Sequence, residues 1–84
     1  MFDYYFTFRS LTAAQQAAAE LQSHMIFPSL LRAPKSLSSM GCAYAARVMF
    51  PDGKFAAATL RKSGVVFEKV FVQDNLGVWR EVHL

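Results

Sequence analysis

The stretch YYFTFRSLTAAQQAAAELQSHM, residues 4–25, decides the fold of this 84-residue chain. Its first five residues are mostly aromatic, with a β-branched threonine, which is typical of a strand. Ser10 is a good N-cap for the alanine-rich segment that follows. In that segment, apolar residues recur at helical spacing from Leu11 to Met25. The stretch therefore predicts a strand that runs directly into an amphipathic helix.

Two further strands and a functional loop are predicted in the middle of the chain. Residues 29–33 are short and apolar, and Pro34 ends them, as expected of a second strand. Residues 42–50 alternate as a third strand, with Tyr44, Ala46 and Val48 on one side and Ala45, Arg47 and Met49 on the other. Between them, residues 34–41 have the proline, serine and glycine content of a loop.

The last third of the chain predicts a helix and a strand. Residues 52–64 carry helix end signals, with Asp52 as N-cap and Gly64 after the last turn. The same residues could start a hairpin at PDG, but alanine is a poor strand former, so the helix is favoured. Residues 65–74 predict a fourth strand. Residues 78–82 could add a short fifth strand or cover a sheet edge with Trp79.

This order of elements predicts an α+β fold. A strand, helix, strand, loop, strand, helix and strand fit the split βαβ, or ferredoxin-like, two-layer sandwich. We expect a four-stranded antiparallel sheet with both helices on one face, and 84 residues support one domain, 1–84. This topology hosts many functions, so function must be argued from the site.

The composition describes a small folded chain with a mild positive charge. Hydrophobic residues make up 54% and aromatic residues 14%, too apolar for a disordered protein. The net charge of +3 permits acidic or phosphorylated partners without requiring them. A single cysteine cannot form a disulfide within the chain, and no apolar run approaches the roughly 18 residues of a membrane span. We therefore expect a cytoplasmic protein with no membrane contact.

The lone thiol, Cys42, directly follows the predicted loop. A thiol reacts as thiolate, so it is useful near neutral pH only where its pKa is lowered from about 8.5. Arg32 and Lys35 supply positive charge just upstream. The small residues of the loop leave backbone N–H groups available to an anion or a persulfide; these residues are Ser38, Ser39 and Gly41. The alternative is that Cys42 is a small buried hydrophobe at the start of a strand.

Several of these segments together resemble a family of small proteins described as Se/S carriers. They are the strand and helix YYFTFRSLTAAQQAAAELQ, a strand leading to Pro34, the loop PKSLSS, the stretch GCAYA and a helix closing in SGVVFEKVF. The similarity extends from about residue 4 to residue 71. Gly41 precedes Cys42 here, whereas the family often shows Cys-Gly, and the tail VWREVHL extends beyond the usual end.

The resemblance implies a carrier rather than a conventional enzyme. Cys42 would take sulfur or selenium from a cysteine desulfurase-like donor as a persulfide or selenosulfide and pass it to an acceptor protein, without a cofactor. A second, resolving thiol would discharge such a persulfide as a disulfide, so a carrier must have no such thiol nearby. A chain with one cysteine meets this requirement.

Other site chemistries find little support in the sequence. His24 and His83 are far apart and lack a second cysteine, so we expect no metal site. The four glycines are isolated, which excludes a glycine-rich phosphate loop, and no paired carboxylates for acid–base catalysis are visible. We therefore expect no conventional enzyme.

A binding module is the alternative function. The open face of a split βαβ sheet can stack RNA bases on aromatic side chains. Tyr5 with Arg9, together with Phe67, Lys69 and Phe71 or their neighbours, could form such a surface. The compact basic-glycine-aromatic signature of RNA-binding strands is missing, so nucleic acid is disfavoured, and these aromatics are better explained as core or as a homodimer interface.

Overall fold

The computed structural model describes residues 3–38, 41, 43–49 and 51–84. Within these residues, the chain forms five strands and three helices. In chain order they are β1 (Asp3–Phe8), α1 (Leu11–Gln22), β2 (Ser29–Arg32), α2 (Lys35–Ser38), β3 (Tyr44–Met49), α3 (Gly53–Ser63), β4 (Val70–Gln73) and β5 (Trp79–Val82). The strands form one antiparallel sheet in the order β2-β3-β1-β4-β5.

The α+β class is confirmed, and the first four strands have the predicted split βαβ arrangement. β1 and β2 are joined by α1, and β3 lies between them in the sheet. The predicted four strands and two helices differ in detail from the structure, in which the possible fifth strand forms and a third, short helix is present. β5 pairs fully with β4, and the segment expected to be an irregular loop contains the single helical turn α2, in which the Leu37 N–H donates to the Pro34 carbonyl oxygen at 2.8 Å.

The main core lies between the sheet and the two long helices. Alternate residues of β1 and β3 face this core, as predicted for β3. The helices contribute mainly alanines, which let them approach the sheet closely. The buried cluster contains Phe6, Phe8, Ala14, Ala17, Leu21, Ile26, Ala46, Val48, Ala56, Ala57, Leu60 and Val70.

Helix α1 ends at Gln22, three residues before the predicted end at Met25. Met25 has a left-handed backbone, with φ of 64°, and its N–H donates to the Gln22 carbonyl oxygen at 3.0 Å. The Ile26 N–H then donates to the Leu21 carbonyl oxygen at 2.9 Å, and both side chains are buried. This is a Schellman ending, in which Ile26 turns back into the core.

The helix predicted over residues 52–64 is confirmed as α3, and the hairpin alternative is excluded. Gly64 ends it in the left-handed conformation, with φ of 75°, as predicted. Asp52 stands at the N-cap position, but its side chain makes no capping hydrogen bond, which corrects its expected role. Gly53 is required for packing, because a Cβ there would collide with the Tyr4 ring.

The fourth strand is shorter than predicted because a β-bulge precedes it. The Glu68 N–H donates to the Thr7 carbonyl oxygen at 2.8 Å, and the Lys69 N–H donates to the Thr7 hydroxyl at 3.0 Å. Two residues thus oppose one residue of β1, and the buried threonine hydroxyl satisfies the additional donor. The regular strand β4 therefore begins only at Val70, five residues after the predicted start.

Candidate functional site: the β2–β3 loop

The β2–β3 loop, residues 34–42, is closed at its base by the strand pair that it connects. The Ala33 N–H donates to the Ala43 carbonyl oxygen at 2.9 Å, one step beyond the last paired residues of β2 and β3. α2 occupies the first half of the loop. The segment that sequence analysis singled out is therefore a hairpin loop with a defined base and its own helical turn.

A buried leucine anchors this loop. Leu37 in α2 is only 2% exposed, yet it is not part of the main core cluster. Thr7 and Ala45 are paired neighbours that point to the sheet face opposite the long helices, and both are 0% exposed. A buried pair on that face needs a cover, and the β2–β3 loop starts and ends beside it. Leu37 is buried in the loop beside this pair, and its burial predicts that it anchors the loop.

The second half of the loop returns to the sheet beside the end of β1. Gly41 is exposed and has a left-handed backbone, with φ of 87°, which favours glycine. The Ala43 N–H donates to the Phe8 carbonyl oxygen at 3.1 Å. Cys42 directly precedes Ala43 in the chain. Ala43 is thus hydrogen-bonded to Phe8, and Phe8 directly precedes Arg9 and the start of α1.

The structure describes four of the six predicted site residues. Arg32 is the last residue of β2, Lys35 and Ser38 begin and end α2, and Gly41 lies in the exposed turn. Cys42 and Ser39 lie outside the described residues. The four described residues belong to one hairpin, so the fold brings them into the same loop and its base.

Arg32 and Lys35 are both exposed, and they differ in setting. The guanidinium carbon of Arg32 lies 5.6 Å from the centre of the Tyr44 ring, directly across the strand pair. This contact holds one positive charge at the base of the loop. Lys35 starts the helical turn and carries a second positive charge within the loop itself.

Sequence analysis missed Arg9 as a neighbour of this loop. It assigned Arg9 only to a nucleic-acid surface, whereas the bond between Ala43 and Phe8 brings the end of β1 to the loop exit. The Nε of Arg9 also lies 2.8 Å from a carboxylate oxygen of Glu68. The predicted topology contained the signal, since the start of β3 lies next to the end of β1 in a split βαβ sheet.

The aromatic surface proposed for RNA is divided between the two sides of the sheet. Phe67 precedes the bulge and turns to the core side, where its ring lies 5.0 Å from that of Phe6. Phe71 remains on the opposite face but is buried. Tyr5 there meets Trp79 edge to face at 4.8 Å. The expectation that Phe67 and Phe71 share an open face is therefore wrong, because the bulge reverses the alternation between them.

Among the described residues, no group of three histidine, cysteine, aspartate or glutamate side chains is placed to hold a metal ion. None of the helices in that part of the chain has the length and apolar character needed to cross a bilayer.

Comparison with known families identifies the chain. The sequence model of a family described as "Putative Se/S carrier protein-like" matches residues 3–72. The chain belongs to this family. The matched segment runs from β1 into β4 and includes the β2–β3 loop with Cys42, while β5 lies beyond it. Searches of curated proteins and of solved structures gave no match.

Proposed function

We propose that this chain carries sulfur or selenium on Cys42, as a persulfide or selenosulfide, and hands it to an acceptor protein. The observation that carries the proposal is the family match, which covers 3–72 and so includes the only cysteine of the chain.

The proposed transfer conserves electrons at each step. The Cys42 thiolate attacks the outer sulfur of a donor's cysteine persulfide, the donor thiolate leaves, and the outer sulfur becomes bound to Cys42. An acceptor nucleophile then attacks that outer sulfur, and the Cys42 thiolate is the leaving group. No net oxidant or reductant is consumed, so the carrier needs no cofactor and is not a conventional enzyme. The donor we propose is a cysteine desulfurase.

Positive charge around the loop supports this chemistry. Arg32 lies at the loop base and Lys35 in α2, and the bond between Ala43 and Phe8 brings the N-terminal end of α1 to the neighbourhood. Arg9 follows Phe8, but its Nε is paired with Glu68. Cations and helix N-termini favour a thiolate over a thiol. We propose that the small residues Ser38, Ser39 and Gly41 leave backbone N–H groups available to the persulfide.

The anchored loop supports a carrier that must meet two partners. Leu37 fixes one half of the loop, and Gly41 on the other half is exposed. A loop that is tied at its base and at one side chain can present a nucleophile without losing its register on the sheet. We therefore propose that Leu37 and the strand pair hold the loop in place and that Cys42 is the reacting group.

Loading from a desulfurase tests the proposal. The purified chain is incubated with a cysteine desulfurase and cysteine, without reducing agent, and its intact mass is measured. We expect a gain of one sulfur atom, removed by a reducing agent and missing in Cys42→Ser. A matched control is Ser36→Ala, which alters the same loop and should still load. A wild-type protein that gains no mass, or a Cys42→Ser variant that gains it equally, would overturn the assignment.

A further inference from the structure

The two outer strands of the sheet differ in how they could accept another strand. β2 and β5 are the edges. In an antiparallel sheet, every second residue of an edge strand points its N–H and C=O groups away from the sheet, where they can pair with a further strand. The hydrogen bonds that each edge strand makes to its neighbour identify the remaining residues, whose backbone groups point outward.

The outer edge of β2 is protected by prolines. The bond between Ala33 and Ala43 fixes the phase, so the odd-numbered residues of β2 bond to β3 and Leu30 and Arg32 point outward. Pro28 and Pro34 continue the outward phase on both sides. Proline has no N–H, so this edge offers only two outward N–H donors, with a proline on each side of them. Prolines at such positions are a common protection against edge pairing.

The outer edge of β5 has no such protection. The Asp74 N–H donates to the Val78 carbonyl oxygen at 3.0 Å, so the even-numbered residues of β5 bond to β4. The backbone groups of Trp79, Glu81 and His83 therefore point outward, and none of these residues is proline. This edge offers the outward donors of Trp79 and Glu81 within β5, and the same phase continues to His83 just beyond its end.

We propose that two copies of this chain pair through the outer edges of β5, antiparallel about a two-fold axis that passes through Val82. In this register, Glu81 lies opposite the partner's His83, and the reverse pair forms by symmetry. Registers centred on Arg80 or on Glu81 would instead place like charges directly opposite each other, which is unfavourable. The two sheets become one continuous sheet.

The side chains at this edge fit the register. The His83 side chain is 88% exposed, and its Nε2 lies 4.0 Å from a carboxylate oxygen of Glu81, so both groups already occupy one polar face of the strand. Arg80 is engaged elsewhere, since its Nε lies 3.3 Å from an Asp74 oxygen. The other carboxylate oxygen of Glu81 lies 3.5 Å from the Lys69 Nζ on the neighbouring strand. Val82 of each copy would meet its equivalent on the other face.

The dimer leaves the candidate functional site accessible. β5 and β2 are opposite edges, with three strands between them, so both β2–β3 loops would lie at the outer ends of the joined sheet. Pairing of one short strand buries less surface than a stable dimer needs, which predicts association in the micromolar to millimolar range. The proposal does not depend on the chemistry of Cys42.

Sedimentation equilibrium over a concentration series tests the proposal, in a Cys42→Ser background that excludes a disulfide-linked dimer. We expect reversible monomer–dimer association. Glu81→Lys should weaken it by about tenfold, because the partner's His83 loses the carboxylate that faces it, and adding His83→Glu should restore association by placing a carboxylate opposite the new lysine. Glu81→Pro should abolish it, since an outward N–H is lost together with the Glu81 carboxylate, which also lies 3.5 Å from the Lys69 Nζ.

The matched control is Leu30→Pro, which removes an outward N–H at the other edge and should leave association unchanged. Circular dichroism verifies that each variant is folded. If Glu81→Pro unfolds the chain, the charge reversal and its restoration decide the question. A chain that stays monomeric to millimolar concentration would overturn the proposal, as would a dimer that responds equally to changes at both edges.

Discussion

The two hairpin loops of this protein hold their shape by different means. The β4–β5 loop is fixed by hydrogen bonds to one carboxylate. Asp74 accepts from the N–H groups of Leu76 and Val78 at 2.8 and 3.0 Å, and the Gly77 N–H donates to the Asp74 carbonyl oxygen at 3.0 Å. The backbone bond from Val78 is the main cause that lowers the pKa of Asp74.

The β2–β3 loop depends on burial instead. It is longer, its base is the bond between Ala33 and Ala43, and its described anchor is the side chain of Leu37. The β4–β5 loop is therefore held by polar bonds to its own backbone, whereas the described anchor of the β2–β3 loop is an apolar side chain. The difference suits a structural turn on one side of the molecule and a reactive loop on the other.

The largest effect is expected from removing the anchor. Leu37→Ala should lower the free energy of unfolding by about 3 kcal/mol, because a fully buried leucine leaves a cavity. Leu76→Ala is the matched control in the other loop: Leu76 is 88% exposed, so its loss should change stability by less than about 0.5 kcal/mol. Urea unfolding followed by circular dichroism measures both, and equal losses would contradict the burial argument.

A pair of glycine substitutions gives a smaller effect. Gly41 and Gly77 both have left-handed backbones, with φ of 87° and 81°, and neither would bring a Cβ into close contact. Each change to alanine should therefore cost about 1 kcal/mol from backbone strain. Only Gly41→Ala should also change the alkylation rate of Cys42. If Gly77→Ala changed that rate as much, the two loops would not be functionally distinct.

Acid should weaken the β4–β5 loop first. Because the pKa of Asp74 is lower in the folded protein, its ionised form adds stability above its unfolded pKa, and this is lost as pH falls through the folded pKa. Unfolding midpoints of wild type and Asp74→Asn, measured from neutral to strongly acidic pH, should differ most at neutral pH and converge in acid. A constant difference would exclude this linkage.

The smallest effect concerns charge near the thiol. Arg32→Gln should slow iodoacetamide alkylation of Cys42 at neutral pH by about twofold, because a cation near the loop base is lost. Arg80→Gln removes the same group beside the β4–β5 loop and should have no effect. Pseudo-first-order alkylation rates of the two variants are compared across a pH series. Identical rates would show that Arg32 does not influence the reactivity of Cys42.

Local signals were sufficient to predict most of the elements. Ser10 does cap α1 by accepting the Ala13 N–H, and Gly64 ends α3 as expected. These features depend on residues within a few positions of each other, so the sequence displays them directly.

The missed features depend on distant contacts. The bulge that turns Phe67 toward the core requires the Thr7 hydroxyl, which is sixty-two positions from Lys69. Methionine seldom adopts the left-handed conformation of Met25, and it does so here because Ile26 is buried against Leu21. Arg9 joins the candidate site only through strand pairing. Such facts follow from tertiary packing, which local propensity does not contain.

Sulfane sulfur bound to the protein is the most direct measure of the central claim. After loading by a desulfurase and removal of small molecules, cyanide releases such sulfur as thiocyanate, which is quantified per chain. The account predicts close to one thiocyanate per wild-type chain, and none from Cys42→Ser. Thiocyanate released equally from both proteins, or from neither, would contradict the role of Cys42 as the carrier.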